Sequence, residues 1–249
     1  MTAPRHPFFN SARPLVFAHR GGAALKPENT VPAFEHGLAL GADGVELDVR
    51  LSRDGVVMVH HDGTLDRTTL LRGRLAGVDA ATLTRAGVPT FADALAVCGR
   101  ARVIVELKEN RADLAVRVIE DVRRAAAVER VCVGSFGRRA LHIVRTLDPS
   151  IATSAAREEV RWALYRSWCR WPVMRAPYGG YQIPEYAGRT HVVTPPFVRD
   201  AHRAGLAVQV WTVDDEADGR RLLEWGVDAL ITDRPDIIVP LVQQWTARL

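Results

Sequence analysis

The feature that most constrains the fold of this chain is a regular alternation of β-type apolar runs with segments of helical apolar spacing. Strands that alternate with helices form parallel βα units, and eight parallel strands close a barrel. We therefore predict an α/β fold, a single (β/α)8 TIM-type barrel with a short insertion after the second strand. The predicted strands are Leu15–His19, Gly44–Arg50, Arg102–Lys108, Val131–Ser135, Ser150–Thr153, Gly180–Ile183, Ala207–Trp211 and Asp228–Thr232. The predicted helices include Thr30–Leu40, Phe91–Cys98, Ala112–Ala127, Gly137–Leu147, Phe197–Ala204 and Glu216–Trp225.

The 249 residues suffice for one such barrel, and no linker or low-complexity stretch divides them. We expect one domain over residues 1–249, with its core at 15–240. A doubly wound open sheet is the alternative, but it requires a Gly-rich turn after the first strand, and His19-Arg20-Gly21-Gly22 does not match that pattern. The segment Tyr165–Pro184 lacks clear periodicity, so we predict an irregular loop over one face of the barrel.

Composition and charge exclude several classes of protein. The fractions of 47% hydrophobic and 25% charged residues are those of an ordinary soluble protein. Because no apolar run approaches the ~20 residues that cross a bilayer, and no secretory signal is visible, we expect a cytoplasmic protein without stable membrane insertion. The three cysteines are widely spaced and read as reduced thiols. The net charge of +4 comes from arginines scattered among acids, so we expect no nucleic-acid partner.

Carboxylates alternate with apolar residues in two predicted strands. Glu46 and Asp48 share one face of the second strand, and Glu106 has the same setting in the third. Both faces of a parallel barrel strand are covered, so these side chains should point into the barrel. Clustered carboxylates are costly to desolvate unless a cation lies between them. The pattern predicts a site for one divalent ion, Mg²⁺ or Ca²⁺ with Mn²⁺ as a third candidate; ordinary surface ion pairs are the alternative.

Histidines end two apolar runs. His19 ends the first predicted strand, and His60 and His61 follow the run Val56–Val59. Barrel enzymes have their active sites at strand ends, and a pair of imidazoles can divide the general-base and general-acid roles near neutral pH. Since adjacent residues of an extended strand face opposite ways, His60 and His61 cannot both face one site.

Two cations lie close to these groups in the sequence. Arg20 follows His19, and Lys108 lies two residues beyond Glu106. A guanidinium fork suits phosphate oxygens, and a phosphoryl group gains negative charge as it is attacked. Cations and carboxylates around one metal therefore indicate phosphoryl chemistry.

With these residues in this order, the sequence resembles the glycerophosphodiester phosphodiesterase family. The match covers residues 15 to 238, nearly the whole chain, and the motifs are weak singly but specific together. They are His19-Arg20-Gly21, Pro27-Glu28-Asn29-Thr30, Glu46-Leu47-Asp48, His61-Asp62, Leu65-Asp66-Arg67-Thr68-Thr69, Val88-Pro89-Thr90-Phe91, Glu106-Leu107-Lys108, Ser135-Phe136, Trp211-Thr212-Val213 and Ile231-Thr232-Asp233-Arg234-Pro235.

The resemblance implies a role for each matching position. His19 and His61 would be the catalytic histidines, and His61 is preferred to His60 because it directly precedes Asp62. Hydrolysis would release sn-glycerol 3-phosphate and an alcohol such as choline or ethanolamine, after attack either by water or by the glycerol 2-hydroxyl. The implied metal ligands are Glu46, Asp48 and Glu106, and the implied substrate-binding residues are Arg20, Lys108, Trp211 and Gln182.

Several motif residues are expected to be structural. Asn29 or Thr30 is predicted to cap a helix, and Asp233 to order a loop near the mouth of the barrel. Asp214 is expected to be a solvated helix N-cap; the alternative is a rim acid that favours a cationic alcohol. The stretch between Asp62 and Phe91 is shorter than the inserted subdomain of many relatives, which would leave the site more open.

Two other function classes stay open. A phospholipase of C or D type, acting on intact or lyso-phospholipid, would require a membrane-seeking rim, and a barrel that only binds a phosphorylated ligand would require no catalytic residues. We expect the aromatic residues near that rim to pack against the barrel instead. They are Trp162, Tyr165, Trp168, Trp171 and Trp225, and the Arg- and Trp-rich segment that contains most of them is Arg161–Arg175.

Overall fold

A computed structural model describes residues 6–169, 171 and 176–248 of the chain. In chain order its strands and helices are β1 (Leu15–His19), α1 (Val31–Ala39), β2 (Gly44–Leu51), β3 (Val57–Val59), α2 (Ala80–Arg85), α3 (Phe91–Val97), β4 (Arg102–Leu107), α4 (Ala112–Arg124), β5 (Val131–Ser135), α5 (Arg138–Leu147), β6 (Ala152–Thr153), α6 (Arg157–Trp168), β7 (Gly180–Pro184), β8 (Tyr186–Ala187), β9 (Thr190–His191), α7 (Pro195–Arg203), β10 (Ala207–Trp211), α8 (Glu216–Glu224), β11 (Ala229–Thr232) and α9 (Pro235–Thr246).

Eight parallel strands form the predicted barrel. They are hydrogen-bonded in the order β6-β5-β4-β2-β1-β11-β10-β7. Between the two end strands, a single parallel bridge from Ser154 to Gly180 nearly closes the cylinder. All eight predicted strands occur, with boundaries that differ by up to two residues, and the (β/α)8 class is confirmed.

Side chains of each barrel strand alternate between the interior and the surrounding helices. On β2, Val45, Leu47 and Val49 belong to the large apolar core that includes residues of the helices. The interior contains a smaller cluster in which Phe8 stacks on Phe17 at 5.9 Å between ring centroids. Since both strand faces are covered, charged residues that face inward are desolvated, and each must find a partner.

The segment between β2 and α3 contains β3 and α2, which lie outside the eight parallel strands of the barrel. Strand β3 pairs antiparallel with β2 through Val49 and Val59, so the chain turns back before it reaches α2. Met58, Leu65 and Leu83 belong to a small apolar cluster formed within this segment. That this segment is an insertion, and that it is shorter than in many members of the family that the sequence resembles, stay predictions.

The irregular loop predicted over Tyr165–Pro184 is wrong for its first residues, because Tyr165–Trp168 is the last turn of α6, a helix of twelve residues. At the other end of the segment, Gly180–Pro184 is β7, where the strand Gly180–Ile183 was predicted. Residues 170 and 172–175 of this segment, which also belong to Arg161–Arg175, lie outside the described residues.

The prediction that the nearby aromatic residues pack against the barrel is also wrong for most of them. Trp162 and Trp168 are each 64% exposed, Trp171 is 57% exposed and Tyr165 is 49% exposed, whereas Trp225 packs partly against the core. Across the described parts of the chain, no helix is both long and apolar enough to cross a membrane.

Candidate active site

Strand pairing brings the predicted site residues together at the carboxyl ends of the barrel strands. β1 pairs with β2 so that His19 lies opposite Glu46, and β2 pairs with β4 so that Asp48 lies opposite Glu106. Residues distant in sequence thus become lateral neighbours at the end of the barrel that carries active sites in this architecture.

Glu46, Asp48 and Glu106 form a compact carboxylate cluster. One oxygen from each lies within 4.8 Å of the others, and Asp48 is 1% and Glu46 5% exposed. Burial raises the pKa of Glu46 to about 8, and the charge of Asp48 adds to this rise. Burial also raises the pKa of Glu106, although Lys108 opposes the rise. Three hard oxygen donors at this spacing fit one divalent cation, whose charge would remove the cost of ionising them.

Two cations and an amide hold Asp48 in place. Arg20 Nε lies 3.2 Å and Lys108 Nζ 3.3 Å from its carboxylate oxygens. Asn29 donates from Nδ2 to Asp48 at 2.8 Å and accepts from the Asp48 backbone N–H at 3.3 Å. Asn29 is 3% exposed and has a φ of 57°, a left-handed conformation that Asn tolerates better than most residues. Asn29 therefore orients a carboxylate, while Thr30 is the N-cap of α1.

His19 is held between two carboxylates. Its Nδ1 lies 2.7 Å from Asp233, and its Nε2 lies 3.8 Å from Glu46. Burial lowers the pKa of His19, but the charge of Glu46 and the hydrogen bond to Asp233 outweigh burial and raise the pKa above its usual value. Because an ionised carboxylate only accepts hydrogen bonds, the Nδ1–H of His19 donates to Asp233 and Nε2 is the atom left for proton transfer.

His61 has a carboxylate partner of the same kind. Its Nδ1 donates to Asp62 at 2.7 Å, and Asp62 accepts in turn from Arg67 at 2.6 Å. The hydrogen bond from Arg67 holds the pKa of Asp62 well below its usual range. Arg67 also donates to Glu28, and Glu28 accepts from Arg20. One polar network therefore links the residues that follow His19 with those that follow His61.

The two adjacent histidines face different surroundings. His61 lines the cavity at the end of the barrel, whereas His60 is buried and its Nε2 lies 3.0 Å from the Thr64 carbonyl oxygen. Burial lowers the pKa of His60. The two side chains are therefore separated, as expected from the sequence, although both residues lie beyond the end of β3.

The site residues line one cavity of about 560 Å³. Trp211 and Gln182 lie on its wall, though the Gln182 amide donates to Gln209 at 3.0 Å. Apolar side chains such as Val160 and Leu164 of α6 also line this cavity. The predicted site residues that line the cavity directly are His19, Arg20, Glu46, His61, Glu106, Lys108, Gln182 and Trp211; Asp48 lies behind them.

The contacts of Asn29 with Asp48 and of Asp233 with His19 were not predicted from the sequence. Asp233 follows β11, which pairs with β1 only once the barrel forms, so its contact with His19 spans 214 positions. The helix-cap reading of Asp214 was wrong: Asp215 caps α8, and Asp214 accepts from the Asp233 backbone N–H at 2.7 Å. Asp214 thus positions Asp233, which in turn binds His19. The sequence signal for this role was that Asp214 directly follows the motif Trp211-Thr212-Val213.

Comparison with known proteins gives the same family that the motifs resemble. Residues 19–237 match the model of the glycerophosphoryl diester phosphodiesterase family. A relative from Mycobacterium tuberculosis named probable glycerophosphodiester phosphodiesterase 2 is 34% identical over 250 residues, covering 95% of this chain and 93% of the relative.

Solved structures agree with the fold. A putative glycerophosphoryl diester phosphodiesterase from Silicibacter pomeroyi has a TM-score of 0.79 at 23% identity, covering 98% of this chain and 99% of that one. A phosphodiesterase from Oleispira antarctica, solved in complex with the product sn-glycerol-3-phosphate, has a TM-score of 0.76 at 26% identity and covers 93% of this chain and 97% of its own.

Proposed function

This chain belongs to the glycerophosphoryl diester phosphodiesterase family, and from that premise we propose that it hydrolyses glycerophosphodiesters to sn-glycerol 3-phosphate and an alcohol. The observation that carries the proposal is the meeting of two carboxylate-bound histidines and a three-carboxylate cluster at one cavity. The Oleispira antarctica neighbour with sn-glycerol-3-phosphate bound supports the substrate class.

Glu46, Asp48 and Glu106 would hold one divalent metal ion. When bound, such an ion supplies positive charge that stabilises the oxygens of the phosphoryl group as they gain negative charge. The raised pKa values of Glu46 and Glu106 support this assignment, because ionising the cluster is costly without added positive charge. Oxygen ligands accept Mg²⁺, Ca²⁺ and Mn²⁺ alike.

Arg20 and Lys108 would bind the phosphate. The Arg20 guanidinium lines the cavity, with Nε 3.2 Å from Asp48 and Nη1 3.2 Å from Glu28, so its positive charge lies beside the carboxylate cluster and suits a phosphate oxygen. Lys108 Nζ lies 3.3 Å from Glu106 and also faces the cavity, which places its charge at the edge of the carboxylate cluster.

His19 and His61 would divide the proton transfers. In each ring Nδ1 donates to a carboxylate, which fixes the tautomer and leaves Nε2 to accept a proton from the nucleophile or give one to the leaving alcohol. The carboxylate partners also stabilise the imidazolium that forms when either ring takes a proton.

Release of glycerol 3-phosphate from glycerophosphocholine tests the proposal. Wild type should release it with Mg²⁺, Ca²⁺ or Mn²⁺ and lose the activity in EDTA, and His19→Ala should be inactive with every metal. A folded wild-type sample that releases nothing with any of these metals would leave the barrel as a binder of phosphorylated ligands and overturn the proposed activity.

A further inference from the structure

The outward face of α6 carries three exposed aromatic side chains. Trp162, Tyr165 and Trp168 recur at intervals of three residues, so they lie on one side of the helix, while Ala163 and Leu164 are buried on the other. The ring of Trp171 meets Tyr165 edge to face at 6.1 Å, as does that of Trp162. We call Trp162, Tyr165, Trp168 and Trp171 the aromatic face. Isolated exposed apolar residues are ordinary, but a contiguous group of this size marks an interaction surface.

Arginines border the aromatic face. Arg157, Arg161 and Arg166 belong to the same helix, with the Arg157 guanidinium 4.7 Å from the centre of the Phe136 ring, and no acidic side chain of the described residues lies within ion-pair distance of any of them. The acid on this side of α6, Glu158, lies 4.0 Å from Arg138, at the limit of an ion pair. Because these three arginines lack a carboxylate partner among the described residues, they leave the surface of α6 net positive.

We propose that the aromatic face and its arginines dock on the surface of an anionic phospholipid bilayer. Trp and Tyr side chains prefer the boundary between headgroups and acyl chains, and arginines beside them attract anionic lipids. An anionic bilayer has an apolar layer beneath a negatively charged surface. The aromatic face of α6 suits the apolar layer, and its arginines suit the negative charge.

The arginines argue against a second copy of the chain as the occupant. In a two-fold symmetric contact each protomer presents the same patch, so the arginines of one protomer would lie close to those of the other, and this disfavours the contact. An anionic bilayer has no such repulsion.

Docking would place the cavity next to the bilayer. Arg157, Val160, Arg161 and Leu164 line the cavity from one side of α6, and the aromatic face continues around the same helix. A bound protein would therefore meet phosphodiesters released at, or still attached to, the lipid surface. The docking itself is independent of the proposed activity.

Vesicle co-sedimentation of the full chain tests the proposal. The probes are vesicles of pure phosphatidylcholine and vesicles of equal parts phosphatidylcholine and phosphatidylserine. We expect partitioning to the anionic vesicles on the order of tenfold to a hundredfold stronger, as three interfacial arginines predict, and weaker at high salt. The double variant Trp162→Gln/Trp168→Gln should lose at least roughly tenfold in partitioning, because two interfacial aromatic anchors are removed.

A matched control and an activity readout separate docking from misfolding. Leu147→Gln removes an exposed apolar side chain on α5 that is 52% exposed, and it should partition like wild type. Since Trp162 and Trp168 do not line the cavity, the double variant should release glycerol 3-phosphate at the wild-type rate. Equal binding to both vesicle types, unchanged binding of the double variant, or a solution dimer that the double variant abolishes would each overturn the proposal. Binding without any release of glycerol 3-phosphate would support docking and count against the proposed activity alone.

Discussion

Replacing Glu46 with Gln should stabilise the metal-free protein while abolishing metal-supported activity. The substitution keeps the shape of the side chain and an oxygen that can accept the Arg20 backbone N–H, now at 3.2 Å. It removes one charge from a cluster whose oxygens lie within 4.8 Å of one another. A carboxylate cluster that binds a metal ion is thus expected to destabilise the folded protein when the metal ion is absent.

The magnitude follows from Coulomb's law and from the neighbours. Two charges separated by 4.8 Å repel by about 3.5 kcal/mol at an effective dielectric constant of 20. His19, with Nε2 at 3.8 Å from Glu46, offsets part of this repulsion. We expect a net gain of about 1–2 kcal/mol, which is roughly 2–8 °C in the melting temperature of a chain this size.

The gain should depend on pH in a defined direction. Glu46 ionises near 4.5 when unfolded and about 8 when folded, so the folded state binds the proton more tightly between those values. Metal-free wild type therefore loses stability as pH rises through this window. The Gln variant lacks this loss, so its advantage should be near zero at the low end and level off above the folded pKa.

Thermal unfolding in EDTA across this pH range is the assay, with Glu109→Gln as the matched control. Glu109 lies outside the cluster and pairs with Arg50 at 3.1 Å, so its substitution should not stabilise the protein at any pH. A Glu46→Gln advantage that stays flat with pH, or a variant less stable than wild type at the high end, would refute the reasoning.

Three further outcomes are expected. His61→Ala should lower kcat by about 10²–10⁴-fold, whereas His60→Ala should lower the melting temperature and leave kcat within a few-fold; equal kcat losses would contradict the assignment. Asn29→Gly keeps the left-handed backbone but removes the amide that orients a buried carboxylate, so metal affinity by calorimetry should fall about 10–100-fold; unchanged affinity would show that the amide is dispensable. Asp233→Asn removes a group that raises the pKa of His19, so the corresponding limb of the pH–rate profile should move to lower pH, and a shift to higher pH would count against the contact.

Local patterns were enough to predict the barrel strands and the inward carboxylates. Alternation with period two placed Glu46, Asp48 and Glu106 on strand faces away from the apolar side chains, and parallel strands require those faces to be covered. The strand-end position of His19 followed from the same pattern. These features depend on neighbouring residues, so they can be read without the rest of the fold.

Only the tertiary structure decided which groups these residues contact. Asp233 reaches His19 because β11 pairs with β1 when the barrel forms, and Asn29 reaches Asp48 from a left-handed turn whose geometry no periodicity predicts. The exposure of the aromatic face was likewise decided by packing, since apolar residues on a helix do not reveal which of its sides meets the barrel. The sequence by itself determined the strands and the chemistry they carry, and barrel closure decided the partners, because contacts between distant segments depend on the arrangement of the whole chain.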